Sequence, residues 1–131
     1  MIVRRLKELT EDRTVQADNW ASRRLLLRND GMGFSLHDTI IRAGTSTRIC
    51  YRNHLEAVYC IEGKGTVELV DTGEIIPIEA GTVYALDRHD DHILSAEIEM
   101  RMVCVFNPAL AGRETHDETG AYPIFAGDEE A

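Results

Sequence analysis

Long apolar runs are missing from this 131-residue sequence, and none reaches the roughly 18 residues that a membrane-crossing helix needs. Cysteine is scarce and odd in number. Cys50, Cys60 and Cys104 each sit in an apolar-rich, strand-like segment, which argues for buried free thiols in a reducing compartment rather than a disulfide framework. Positive charge is also short: 14 Lys and Arg face 23 Asp and Glu, for a net charge of −9. Such a surface repels phosphate backbones and anionic lipids, so neither nucleic acid nor a membrane is an expected partner. The acidity is compatible with a salt-stressed cytosol. Met1 leads straight into charged sequence without the apolar stretch and small-residue cleavage site of a secretory leader, so the cytoplasm is the expected location. Internal repeats are absent, and no helix-turn-helix output segment argues for a regulator.

What is present is ordinary globular composition, 44% apolar and 28% charged, at a length that suggests one domain and one site. From Ser22 onward, short β-like runs follow one another over 25–27, 34–41, 48–51, 56–61, 66–70, 75–78, 82–86, 92–98 and 100–106. Glycine-bearing turns separate them at 29–33, 43–44, 62–65, 71–73 and 79–81. Strands this close together, with no helical pattern between them, predict an all-β sandwich or barrel. The pattern stops at Asn107 and Pro108, because proline cannot donate to a central ladder. The lead-in, about 1–20, reads as a strand followed by a short helical or irregular turn. The barrel is expected over 22–107, a C-terminal segment over 108–125 lies across its mouth, and 126–131 reads as a disordered tail.

Alternation places Met102, Cys104 and Phe106 on one face of a strand, and puts Glu56 on the same face as Val58 and Cys60. A carboxylate on an apolar face needs a cation, a metal or a chemical job, because burying an unpaired charge costs several kcal/mol or shifts its pKa. Glu56 lies in GTSTRICYRNHLEAVYCIEG over 44–63, whose glycines and glutamate resemble the first cupin motif: a glycine, two histidines, a glutamate and a closing glycine. Cys50 and Arg52 stand where cupins generally carry the histidines. GEIIPIEAGTVY over 73–84 resembles the second cupin motif, with one extra residue before the glycine and Tyr84 in the histidine slot.

Longer strings are more specific. NW at 19–20 with SRRLLL at 22–27, GMGFS at 31–35, NHLEAVYCIEG at 53–63, YALD at 84–87, VCVFNP at 103–108 and GRETHD at 112–117 together resemble ectoine synthases, atypical cupins. The resemblance runs from Met1 to about Pro123. It implies a single cupin-type, jelly-roll-like barrel that cyclises N-γ-acetyl-2,4-diaminobutyrate to ectoine with loss of water, a hydro-lyase step in compatible-solute biosynthesis. It also implies a divalent metal held by Glu56, Tyr84 and His92, iron(II) in the family, and a head-to-tail homodimer. Two oxygen donors and an imidazole suit iron(II) or zinc and leave positions open for substrate.

By the same resemblance Trp20 and Arg23 contact substrate, the indole as a wall and the guanidinium as a fork for the carboxylate. Thr39 and Tyr51 point into the barrel, Thr39 with His37 and Tyr51 with Ile49, and this phase turns Cys50 and Arg52 away. Phe106 is a cavity wall, whereas Cys104 reads as packing. Glu114 and His116 form a substrate-binding, proton-handling pair, and Tyr51 is counted with them as both catalytic and substrate-binding. His54 is placed to orient Glu56, His89 reads as solvated, and His37 stays open between cavity and core. Two other functions remain compatible with the residues: a cupin oxygenase or isomerase on another small acid, and a non-catalytic small-molecule-binding cupin.

Overall fold

The structure is a computed structural model that describes residues 1–124, so the expected tail at 126–131 lies outside the described residues. The chain opens with two 3-10 turns, Leu6–Glu8 and Glu11–Arg13, and only then a short strand, β1 (Thr14–Gln16). The expected order of strand and turn is therefore reversed. Leu6 and Leu9 alternate with nothing apolar, so the backbone closes local bonds instead, from Leu9 N–H to Leu6 O and from Arg13 N–H to Thr10 O. Arg4 and Arg13 then pin the lead-in to the Asp30 carboxylate.

Seven more strands follow: β2 (Trp20–Leu26), β3 (Ser35–Ile41), β4 (Ser46–Ile49), β5 (Leu55–Leu69), β6 (Ile75–Glu79), β7 (Val83–Leu86) and β8 (His92–Asn107). The all-β expectation holds, and the helical content of the described residues is confined to 3-10 turns. All pairing is antiparallel. One layer runs β1, β2, β3, the second half of β8, the first half of β5, and β7. The other runs β4, the first half of β8, the second half of β5, and β6. Two long strands thus cross together from one layer to the other.

That crossing overturns the hairpin expected at 62–65. The segment lies inside the 15-residue β5, where the register with β8 slips between Cys60 and Gly65. A Cβ on Gly63 would sit 2.1 Å from Glu99 O, and one on Gly65 would sit 2.0 Å from Ser95 O. The two glycines therefore serve a close backbone approach that bends both strands, which in sequence is indistinguishable from a turn. β2 also begins earlier than expected, because Ser22 and Arg24 on its inner face interrupt the apolar alternation.

Cys60, Met100 and Met102 from the first layer meet Val67, Ile78 and Leu94 from the second in one buried cluster. After β8 the segment 108–124 has no regular structure, yet Leu110, Ala121 and Tyr122 are buried. Asp117 knots it, accepting from Thr119 and Ala121, while Cys50 N–H donates to Gly120 O and ties it beside β4.

Candidate active site

Between the layers lies a cavity of about 40 Å³, walled by Trp20, Thr39, Tyr51, Glu56, Tyr84, Cys104, Phe106, His116 and Tyr122 among others. Glu56 projects into it from β5, opposite Leu86 on one neighbour and Phe106 on the other. No ion pair reaches this carboxyl among the described residues. Burial pushes it up to about 8, against a weaker downward pull from the Cys104 thiol. Tyr84 enters from β7, where burial and then the Glu56 carboxyl push its phenol well above the usual range. His92, 1% exposed at the start of β8, does not itself line the cavity but meets the Tyr84 ring edge-on at 6.4 Å. Its Nδ1 lies 2.9 Å from Asp90 O, so Nδ1–H donates there and Nε2 keeps its lone pair.

Among the described residues no three His, Cys, Asp or Glu side chains cluster as a metal site. The candidate set differs by drawing one donor from a phenol. A buried carboxyl without a counter-cation, a neighbouring phenol and an imidazole with its Nδ1 already fixed form a donor set that fits a divalent ion.

A second group faces this one. Tyr51 Oη is 2.7 Å from His116 Nε2, and Trp20 lies 5.1 Å from the same imidazole. Burial, then the Arg24 charge, push His116 down to about 4, while burial pushes the Tyr51 phenol well above its usual range. The phenol therefore keeps its proton at neutral pH and donates it to an uncharged imidazole. Phe106 stands edge-on to Tyr51 at 5.1 Å, and Thr39, on the inner face of β3, completes the wall.

Strand parity corrects one assignment. Trp20, Ser22 and Arg24 are the buried positions of β2, and Arg23 lies on the opposite face, ion-paired to Asp38, which also holds Arg101. The arginine at the inner face is Arg24, fully buried, with Nε donating to Ser22 Oγ and its guanidinium 5.5 Å over the Tyr122 ring. Arg24 Nη1 has no hydrogen-bond partner.

The pair of Glu114 and His116 is divided. Glu114, 0% exposed, accepts the N–H groups of Ala111 and Gly112 and lies 3.9 Å from Arg24 Nη1, so it braces its own loop and the buried arginine while His116 lines the cavity. His54 stands edge-on to Phe106 and Tyr122 instead of contacting Glu56, with its Nδ1 unpartnered. His89 is exposed as read, though its Nδ1 bonds Tyr51 O. Cys50 and Arg52 stay outside the cavity as expected.

Tyr122 escaped sequence reasoning. It stacks on Tyr51 at 5.0 Å and walls the cavity, but lies past Pro108, where no strand period marks an inward side chain.

A model of the ectoine synthase family matches residues 1–126. The chain belongs to that family. It is similar to the L-ectoine synthase of Desulfatibacillum aliphaticivorans, 64% identical over 127 residues that cover 95% of this chain and 98% of the relative. The L-ectoine synthase of Halalkalibacterium halodurans strain C-125 is 63% identical over 113 residues, covering 86% and 88%. Among solved structures, ectoine synthase from P. lautus matches with a TM-score of 0.85 at 55% identity, covering 97% of this chain and 95% of that one. Like its family, the chain is a cupin-type enzyme, a hydro-lyase.

Proposed function

We propose that this enzyme closes N-γ-acetyl-2,4-diaminobutyrate into ectoine, in a cavity where Glu56, Tyr84 and His92 hold a divalent metal opposite Arg24 and the Tyr51–His116 pair. The observation that carries the reading is Glu56, a buried carboxyl with no cation of its own beside a phenol and an imidazole. In the reaction the α-amine nitrogen bonds to the acetamide carbon, the carbon–oxygen bond breaks, and the oxygen leaves with two protons as water. Glu56, Tyr84 and His92 suit iron(II), with zinc the other ion fitted to these donors; the bound ion supplies Lewis acidity toward the amide oxygen.

The remaining work belongs to the chain. Arg24, whose Nη1 lacks a hydrogen-bond partner though Glu114 lies 3.9 Å away, offers that donor to the substrate carboxylate. Trp20, Thr39 and Phe106 fold the substrate so that its amine meets its own carbonyl, and intramolecular reactions so oriented reach effective molarities of about 10⁵ M or more. Tyr51 passes its own proton to Nε2 of His116, uncharged at neutral pH, as the phenol oxygen takes the amine proton, so the imidazole is the final acceptor. A carboxylate seated on Arg24 offsets the positive charge that depresses His116, so substrate binding itself strengthens the base. Glu114 acts from behind, through its loop and Arg24.

This reading places the enzyme in the cytosol, in compatible-solute synthesis, with Cys50, Cys60 and Cys104 free. It works as a homodimer, for which Tyr59 and Val83, paired across β5 and β7 and 46% and 63% exposed, offer apolar surface. Incubating metal-loaded protein with N-γ-acetyl-2,4-diaminobutyrate should yield a product lighter by one water in the mass spectrum. Unchanged substrate would refute the reading, and light scattering would test the dimer.

A further inference from the structure

Behind Arg24 runs a connected set of buried polar groups, Ser22, Ser35 and His37, that has no part in the chemistry above. Ser22 and Arg24 face inward from β2, and Ser35 and His37 from β3, each no more than 2% exposed. Arg24 Nε donates to Ser22 Oγ at 3.1 Å, and Ser22 Oγ is 3.2 Å from His37 Nδ1. His37 Nε2 is 3.0 Å from Ser35 Oγ, which also accepts the Leu110 N–H at 3.0 Å. Burial, then the charges of Arg24 and His54, hold the His37 imidazole well below its usual range, so it is neutral and one nitrogen accepts while the other donates. With the proton on Nε2, the Ser22 hydroxyl donates to Nδ1 and Nε2–H donates to Ser35, which satisfies both ring nitrogens.

We infer that His37 is a positioning residue for the reaction, locking Ser22 beneath the Arg24 guanidinium at one end and Ser35 beneath the head of the C-terminal segment at the other. The inference rests on the proposed role of Arg24 as the carboxylate-binding group. A guanidinium recognises a planar carboxylate through parallel N–H donors, so its plane must be fixed before substrate arrives. Ser22 alone is a free rotor, and His37 removes that freedom. At the other end, Leu110 starts the stretch that carries Glu114 and His116, so one imidazole sets the angle of the carboxylate fork and the approach of the proton acceptor.

His37 also packs on Phe106 at 5.0 Å, and the test must separate that contact from the hydrogen bonds. His37→Phe keeps a ring of similar shape and removes both nitrogens, while His37→Asn restores one donor and one acceptor. The expected result is a KM raised about tenfold in His37→Phe, the size of one lost hydrogen bond to a charged group, with metal content and melting temperature near wild type and KM largely recovered in His37→Asn. In the double variant with Ser22→Ala the two KM increases should fail to multiply, because both cut the same link. Should His37→Phe not fold, Ser22→Ala alone reads that link with the ring intact. A KM within about twofold of wild type in His37→Phe or in Ser22→Ala, or increases that multiply, overturns the inference. Arg24→Met separates the two levels. A raised KM there with a wild-type KM in His37→Phe removes the role of His37 alone, whereas an unchanged KM in Arg24→Met removes the carboxylate reading and this inference with it.

Discussion

Replacing Arg24 with methionine tests the strand parity on which the substrate-binding half of the site depends. Arg24 is 0% exposed, and its Nη1 lies 3.9 Å from Glu114, too long for a hydrogen bond. Removing one partner of a buried ion pair typically costs about 3–5 kcal/mol. Here Glu114 keeps two backbone N–H donors, so the loss should fall toward the lower end, near 3 kcal/mol, and a similar-length apolar chain limits the cavity. Binding should suffer more specifically. A hydrogen bond to a charged group is worth about 1.5–3 kcal/mol, so losing the carboxylate fork should raise KM by about 10–100-fold. Arg23→Met is the control, because Arg23 faces outward against Asp38 and should alter stability slightly while leaving KM unchanged. Steady-state kinetics on the two variants, with melting curves to confirm folding, decide the matter. A high KM in Arg23→Met with a normal KM in Arg24→Met would refute the inward placement of Arg24.

Glu56→Ala and His92→Ala should each lose bound metal and turnover together, measured by elemental analysis and product formation, whereas Cys50→Ala keeps both. Acid stability should report His116, whose folded value of about 4 lies below its ordinary 6.5. Between those values the unfolded chain binds a proton that the folded one refuses, so stability rises with pH across the window and is lost as pH falls, by about 3 kcal/mol. Glu56, raised to about 8, acts with the opposite sign in both proteins, so denaturant titrations from pH 4 to 7 should show the His116 contribution as a slope more positive in wild type than in His116→Phe; identical slopes would contradict it. Gly65→Ala should fail to fold or lose more than about 3 kcal/mol, because its Cβ would sit 2.0 Å from Ser95 O, and a wild-type melting temperature would contradict the close crossing of β5 and β8.

The sequence was most readable where period two is undisturbed. β3, β6 and β7 fall close to their expected bounds, and Glu56 stands out because a carboxylate breaks an apolar face. It was least readable where polar groups face inward. Ser22 and Arg24 hide β2, and a strand so hidden offers no phase by which Arg24 can be told from Arg23. Glycines 63 and 65 carry the composition of a turn, and only the facing backbone of β8 reveals that they accommodate a crossing. Tyr122 and Glu114 sit in a segment without periodicity, where side-chain direction depends on tertiary contacts such as the knot at Asp117.

Because β5 and β8 bend together, a single 16-residue strand supplies both His92, at its first position and packed against Tyr84, and Phe106, next to its last and on the cavity wall. The residues between Leu94 and Met102 do not line the cavity, yet they act as a spacer whose length is counted in whole residues. One inserted or deleted residue near Ile98 would invert the facing of every side chain on one half relative to the other. The span between the two layers therefore tolerates exchange of residues far better than it tolerates a change in their number.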